Sequence, residues 1–300
     1  MGQMILGSST HVFLPQRLHP GLLDALANGG AKTIEVFAAR YHFDYADRAQ
    51  VKEIAGWFRS NPVTASLHQP LTTETTFSRH AAMSLDLIDR EKMHRIEAMD
   101  EVKRALEAAE QIPFESCVLH LGMKGDKWSE ATLEFALTAV DHVKAFASPL
   151  GVKLLLENLQ NEVATPEHLV DILRIGHFDS VGVCLDTGHA HLSEGGIAGA
   201  FEVLKGRVVE VHLHDNNGMR DEHLWPASGS ERSVAAAKGS IDWAETYRLL
   251  DTLPAATRGV LEIGYEGFET AEAVSRMTGE VLSHRTRLLE EAAAFDEGQG

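Results

Sequence analysis

Short aliphatic and β-branched runs alternate with segments of helical periodicity along the chain. Eight runs read as strands: residues 4–7, 33–37, 63–68, 117–121, 152–159, 181–186, 208–215 and 258–263. Between them apolar residues return at three- and four-residue spacing. Leu22, Leu23 and Leu26 do so, and again Val51, Ile54, Ala55 and Phe58, the pattern of helices with one buried face. Longer helices are expected over about 85–109, 131–147 and 271–295. Thr165-Pro166-Glu167-His168 reads as a helix start, with an N-cap hydroxyl, a first-turn proline and an early acid. Strand–helix repeats of this kind predict a parallel sheet with right-handed crossovers. Eight of them at roughly 37 residues each match an α/β fold of the (β/α)8 TIM barrel type, built as a single domain over residues 1–300. A doubly wound open sheet is the alternative, but no strand runs into a Gly-x-Gly-x-x-Gly turn, so its dinucleotide-binding form has no support. Residues 227–240 read as an inserted rim loop and 296–300 as a frayed tail.

The predicted strand ends carry the chemistry. The third ends Ser66-Leu67-His68, the fourth Val118-Leu119-His120 and the fifth Leu155-Leu156-Glu157-Asn158. The sixth ends Cys184-Leu185-Asp186-Thr187-Gly188-His189, the seventh Glu210-Val211-His212-Leu213-His214-Asp215 and the eighth Val260-Leu261-Glu262. In a barrel, the C-terminal ends of the strands form the rim where active sites are built. Side chains alternate across a strand. Val209, Val211 and Leu213 therefore share the face turned to the helices, and Glu210, His212 and His214 the face turned inward. The same parity sends His120, Glu157, Asp186 and Glu262 into the mouth. Crowded carboxylates repel one another and need a compensating cation. Glu157, Asp186, His212 and Glu262 offer three carboxylates and one imidazole, a set suited to one divalent metal such as Mn, Mg, Co or Zn. Asp221 and His223, two residues apart after the seventh strand, could join a site only because His212 lies so close before them. His11, His19, His80, His94, His142, His168 and His177 fall in helices or early loops, and no role is expected of them.

Composition narrows the partners. Apolar residues make up 44% of the chain and charged residues 24%, which excludes a disordered or collagen-like protein. Against 44 acidic residues stand 27 basic ones, a net charge of −17. That balance and the lack of a basic stripe with interleaved aromatics argue against nucleic acid, although a metal-filled cleft can override bulk charge. No apolar run approaches the ~18 residues that span a bilayer, so no membrane partner is expected. The opening residues lack a basic region followed by a long apolar stretch, and no secretory leader is expected. Cys117 and Cys184 lie in apolar runs and read as buried thiols, consistent with a cytoplasmic protein. The sequence leaves homo-oligomerisation open.

The motifs Leu156-Glu157-Asn158, Cys184-Leu185-Asp186-Thr187-Gly188-His189, His212-Leu213-His214-Asp215 and Leu261-Glu262, in this order, resemble those of the xylose isomerase-like TIM barrels. That superfamily holds sugar isomerases and epimerases, inositol-catabolism enzymes and the endonuclease IV DNA-repair enzymes. The resemblance implies that Glu157, Asp186, His212 and Glu262 bind one divalent metal. It makes Glu157 and Glu262 the acid/base pair and His189 a contact for substrate oxygens. The implied reaction is isomerisation or epimerisation of a sugar or sugar phosphate, by proton transfer next to a carbonyl through a metal-stabilised enediolate. Family epimerases place an arginine soon after the strand-seven histidine; Arg220 is the displaced counterpart. His68 and His120 would bind substrate hydroxyls or metal, and Trp225 and Phe43 are candidates to stack on a sugar.

The resemblance carries two alternatives. Endonuclease IV enzymes hold three zinc ions with nine residues, and His68, His120, Glu157, Asp186, His189, His212, Asp221, His223 and Glu262 are their counterparts by motif position. Three divalent ions against four carboxylates leave a double positive charge, which suits a phosphodiester in abasic DNA. One ion against Glu157, Asp186 and Glu262 leaves a single negative charge, which suits a polyol. For DNA, Arg40-Tyr41-His42-Phe43 is the candidate wedge, since Gln69-Pro70-Leu71-Thr72 offers no aromatic. The second alternative, a non-catalytic barrel subunit of a larger complex, conflicts with a ligand at every expected position.

Overall fold

A computed structural model describes residues 4–79, 83–226, 239–265 and 270–297. Eight strands form one closed, wholly parallel barrel in sequence order. They are β1 (Ile5–Ser9), β2 (Thr33–Phe37), β3 (Thr64–His68), β4 (Phe114–Leu119), β5 (Lys153–Glu157), β6 (Gly182–Asp186), β7 (Val208–Leu213) and β8 (Arg258–Leu261). The α-helices are α1 (Pro20–Asn28), α2 (Arg48–Ser60), α3 (Lys92–Leu106), α4 (Glu130–Ala147), α5 (Pro166–Ile175), α6 (Thr187–His191), α7 (Gly196–Leu204), α8 (Trp243–Leu250) and α9 (Ala271–Glu297). The barrel closes where Gly7 of β1 pairs with Val260 of β8. On its other side Gly7 faces Thr33, whose carbonyl oxygen would stand 1.8 Å from any Cβ built there, so only glycine lets β1 and β2 approach.

The element boundaries follow local chemistry. α5 begins as its sequence predicts, with Thr165 Oγ1 accepting the His168 amide at 3.2 Å. β4 starts three residues before the expected 117, because exposed Glu115 interrupts the apolar run yet still lies in the strand. α3 starts later than the expected 85. Asp86 and Asp89 accept the amides two residues on, of Ile88 and Glu91, and these local turns compete with the helix. The expected rim loop lies outside the described residues except for Gly239 and Ser240; of the expected tail, Asp296 and Glu297 belong to α9 and 298–300 lie outside.

The barrel interior is layered. Near the N-terminal ends of the strands, Glu210 accepts hydrogen bonds from Ser66 at 2.9 Å, Ser116 at 3.2 Å and Arg258 at 2.9 Å. Val118, Leu155 and Cys184 form a separate apolar cluster, on the inward face by the same parity that turns Glu157 inward. Above them, at the C-terminal ends, sit the histidines and acids. The main core lies outside the barrel wall, where Ile34, Leu67, Leu119, Leu156, Leu185 and Val211 pack under the helices, all fully buried. Cys117 and Cys184 are buried and free. Among the described residues no helix is long and apolar enough to cross a membrane.

Candidate metal centre and cleft

β5, β6, β7 and β8 are neighbours, and their ends bring Glu157, Asp186, His212 and Glu262 together. One donor atom from each lies within 4.8 Å of the others. All four are buried. Asp186 is held twice over. It caps α6 by accepting the His189 amide at 2.6 Å, and it takes Nε2 of His214 at 2.9 and 3.0 Å. Asn158 laces β5 to β6 by bonding both the amide and the carbonyl of Asp186.

The surroundings of His212 test whether a metal fits. Its Nδ1 faces Glu262 Oε2 at 3.2 Å, Glu157 Oε1 at 3.5 Å and Asp186 Oδ2 at 3.7 Å. Nδ1 and Glu157 Oε1 are buried and make no hydrogen bond. Three carboxylate oxygens around one imidazole nitrogen, shielded from water, form a shell into which a cation fits, and this oxygen–nitrogen mix suits a small divalent metal.

Two further groups flank this one. His68 Nε2, His120 Nε2 and Glu157 Oε2 converge, with His120 3.0 Å from the carboxylate and 3.1 Å from His68. On the other side Asp221 Oδ2 lies 3.0 Å from His189 Nε2 and 3.2 Å from His223 Nε2. All nine residues singled out in the sequence thus gather at one mouth, in three groups. Glu157 is shared: one oxygen meets the His68–His120 pair, and the other faces His212 and, at 3.4 Å, His189.

Burial opposes charge at Glu157, Glu262, His189 and His223, and the fields of their neighbours outweigh it. His120 and His212 hold Glu157 well below the usual carboxylate range, and His212 and His223 do the same for Glu262. Asp186 and Asp221 raise His189 well above the ordinary imidazole value, and Asp221 lifts His223 to about 9.

A cleft of about 510 Å³ opens above the cluster. Of the four central residues, Glu157 and Glu262 line it and Asp186 and His212 do not. His11, Phe37 and Leu71 also line it, with Lys124 and Arg220 on the wall. Arg220 therefore reaches the cleft despite its displaced position in the sequence. His11, of which no role is expected, is a wall residue. Its ring packs against Phe37 and His223 at centroid distances of 5.0 and 5.3 Å, and burial pushes its pKa down to about 4. Glu35 is the other residue that sequence reasoning missed: fully buried on β2, it meets His212 at 3.1 Å. The alternation of Ile34, Glu35 and Val36 was the available signal.

Some expectations are corrected. Phe43 is fully buried in the main core, and Trp225 packs against that core rather than lining the cleft. The candidate wedge is built into the fold. Arg40 pairs with Glu101 at 2.6 Å, His42 and Phe43 are fully buried, and Tyr41 is half-buried against Phe77.

Known proteins share this architecture. A family described as xylose isomerase-like TIM barrel matches residues 23–294. The uncharacterised protein MJ1311 of Methanocaldococcus jannaschii is 25% identical over 279 residues, covering 90% of this chain and 83% of its own. Among solved structures, a D-tagatose 3-epimerase-like protein superposes with a TM-score of 0.73 at 22% identity, covering 97% of this chain and 100% of that one. IolI with a bound zinc atom superposes with a TM-score of 0.71 at 16% identity, covering 96% and 99%. At these identities the superpositions speak for the fold; the family match over most of the chain, with the closed barrel, makes this chain a member of the xylose isomerase-like TIM barrel family.

Proposed function

We propose that this chain is a divalent-metal-dependent isomerase or epimerase of a sugar or sugar phosphate. The observation that carries the reading is the division of labour within the central four. Asp186 and His212 sit behind the wall, whereas Glu157 and Glu262 border the cleft from β5 and from the end of β8. Epimerases among the structural neighbours, and a neighbour with bound zinc, support it. Glu157, Asp186, His212 and Glu262 would hold the cation. When bound, it supplies positive charge that stabilises the oxygen anion formed as the C–H next to a carbonyl ionises. Glu157 takes that proton, and Glu262 returns one from across the mouth to the other face or to the neighbouring carbon. His189, with Nδ1 held by the Asn158 carbonyl at 2.9 Å, and the neutral His11 ring orient hydroxyls. The cleft wall of Phe37 and Leu71 excludes water from one side. The test is solvent exchange: metal-loaded protein, incubated in D2O with a panel of ketoses and their phosphates, places deuterium on the carbon beside the carbonyl of its substrate. Absence of exchange across the panel overturns the reading.

A second reading has its own observation, the two flanking groups. If His68, His120, His189, Asp221 and His223 also bind metal, three ions face four carboxylates, and the double positive charge left over suits a phosphodiester. Counting metal per chain separates the two. One Mn, Co, Mg or Zn supports carbohydrate chemistry; three zinc ions with cleavage of abasic DNA support the other. The Arg40–Phe43 segment, tied into the fold by the Arg40–Glu101 pair and the buried His42 and Phe43, weighs against DNA.

A further inference from the structure

Four histidines around the cleft anchor the same ring atom. His11, His68, His189 and His223 each hold Nδ1 2.9 Å from a backbone carbonyl, those of Ile263, Gln69, Asn158 and Glu262. A carbonyl oxygen only accepts, so Nδ1 carries the proton in each ring and Nε2 is left to act. His212 is turned the other way. Its Nε2 lies 3.1 Å from Glu35 Oε2, and its Nδ1 looks at the three carboxylates of the central group with no hydrogen-bond partner. Both side chains are fully buried. Glu35 belongs to β2, which supplies none of the four central donors, and its side chain reaches His212 of β7 through the barrel interior.

We propose that Glu35 is a positioning residue of the metal centre: by accepting Nε2–H from His212 it fixes the tautomer that presents Nδ1, and only Nδ1, to a divalent cation. The inference rests on the metal reading above and deepens it. With Nε2–H committed to Glu35, the Nδ1 lone pair is directed at the point where the three carboxylates converge. A carboxylate on the far N–H also makes the imidazole a stronger donor and stops the ring from flipping. In the four carbonyl-anchored histidines the hydrogen-bond acceptor at Nδ1 is a neutral carbonyl, not a carboxylate. Among the described residues Glu35 is the hydrogen-bond partner of Nε2, and the Cys184 thiol, which also lies against the ring, is a far weaker acceptor. Without Glu35 the ring could turn an N–H or a C–H toward the carboxylates.

The wild-type protein, labelled with 15N in its histidines and loaded with 113Cd2+, tests the proposal directly. The His212 signals, assigned by their loss in His212→Gln, should show cadmium coupling to Nδ1 and a retained proton on Nε2. Coupling through Nε2 overturns it. Glu35→Gln and Glu35→Met should bind Zn2+ about 10- to 100-fold more weakly in chelator competition, Gln the less affected because it keeps an acceptor. The metal-free variants should melt close to the wild type. Unchanged affinity in both variants overturns the proposal; if a variant fails to fold, the cadmium spectrum of the wild type decides. A wild type that binds no divalent ion overturns the metal reading itself, which is a separate outcome.

Discussion

Glu157 offers its two oxygens to different neighbours, and Glu262 faces both His212 and the cleft. Under the proposed reaction, Glu157→Gln and Glu262→Gln should each lower turnover by roughly 10² to 10⁴. Steady-state kinetics on the substrate found by deuterium exchange checks this, with metal content measured alongside, because a loss traced wholly to missing metal removes the acid/base role. His11→Phe keeps the wall but deletes a hydrogen-bonding nitrogen; it should raise KM more than it lowers kcat. Side-chain alternation was enough to send His120, Glu157, Asp186, His212 and Glu262 to the mouth, because each ends or follows an apolar strand; His68 was legible as a strand end, and His189, Asp221 and His223 only through their motif positions. It did not assign His11 or Glu35. His11 sits in a single turn after β1, where no period applies. Glu35 lies mid-strand, and its partner is 177 positions away in the chain.

α6 shows how short elements hold long-range geometry. It spans five residues and is capped by Asp186, whose carboxylate is at once its N-cap and a central donor. Gly188 lies directly under His214, and a Cβ there would stand 2.0 Å from the imidazole. Gly188→Ala should therefore push His214 off Asp186, weakening metal binding and costing about 1–3 kcal/mol of stability through overpacking. Chelator competition and denaturant unfolding measure the two effects; a variant with wild-type values for both removes this role for the glycine. Asp215 plays a similar part at the neighbouring loop, accepting the amides of Ser240 and Ile241 and the indole N–H of Trp243 at 2.8–3.1 Å. The sequence exposed the eight strands because each crosses a core with helices on its outer side. It concealed boundaries wherever a polar residue broke an apolar run, as Glu115 does, or wherever aspartates made local turns, as Asp86 and Asp89 do.

Across the fold, stability should respond to pH and, under the proposed reading, to metal. Buried His42, whose pKa is pushed down to about 4 by burial, refuses a proton that the unfolded chain takes up near 6.5. Its contribution is present above pH 6.5 and is lost as pH falls toward 4, so the denaturant midpoint should drop through that window. Metal-free protein should show a second slope. His223, lifted to about 9, contributes fully below 6.5 and loses its contribution as pH rises through 9. A divalent ion at one hundred times its Kd should add about 2.7 kcal/mol, and chelation should reverse the rise in melting temperature. A thermal scan without any response to metal or chelator counts against a bound cation.

β5 to β8 are consecutive in the barrel, so the cup is lopsided. The carboxylates lining the cleft, Glu157, Asp221 and Glu262, belong to the half from β5 onward, whereas Phe37, stacked on His68, and Leu71 put apolar surface among the histidines of the other. A guest with hydroxyls along one edge and bare C–H along the opposite face matches both halves in a single orientation. Inverting a stereocentre away from the reacting carbon would press a hydroxyl against Phe37 or Leu71. Handedness would thus be read before any proton moves, by a contrast that arises from strand order.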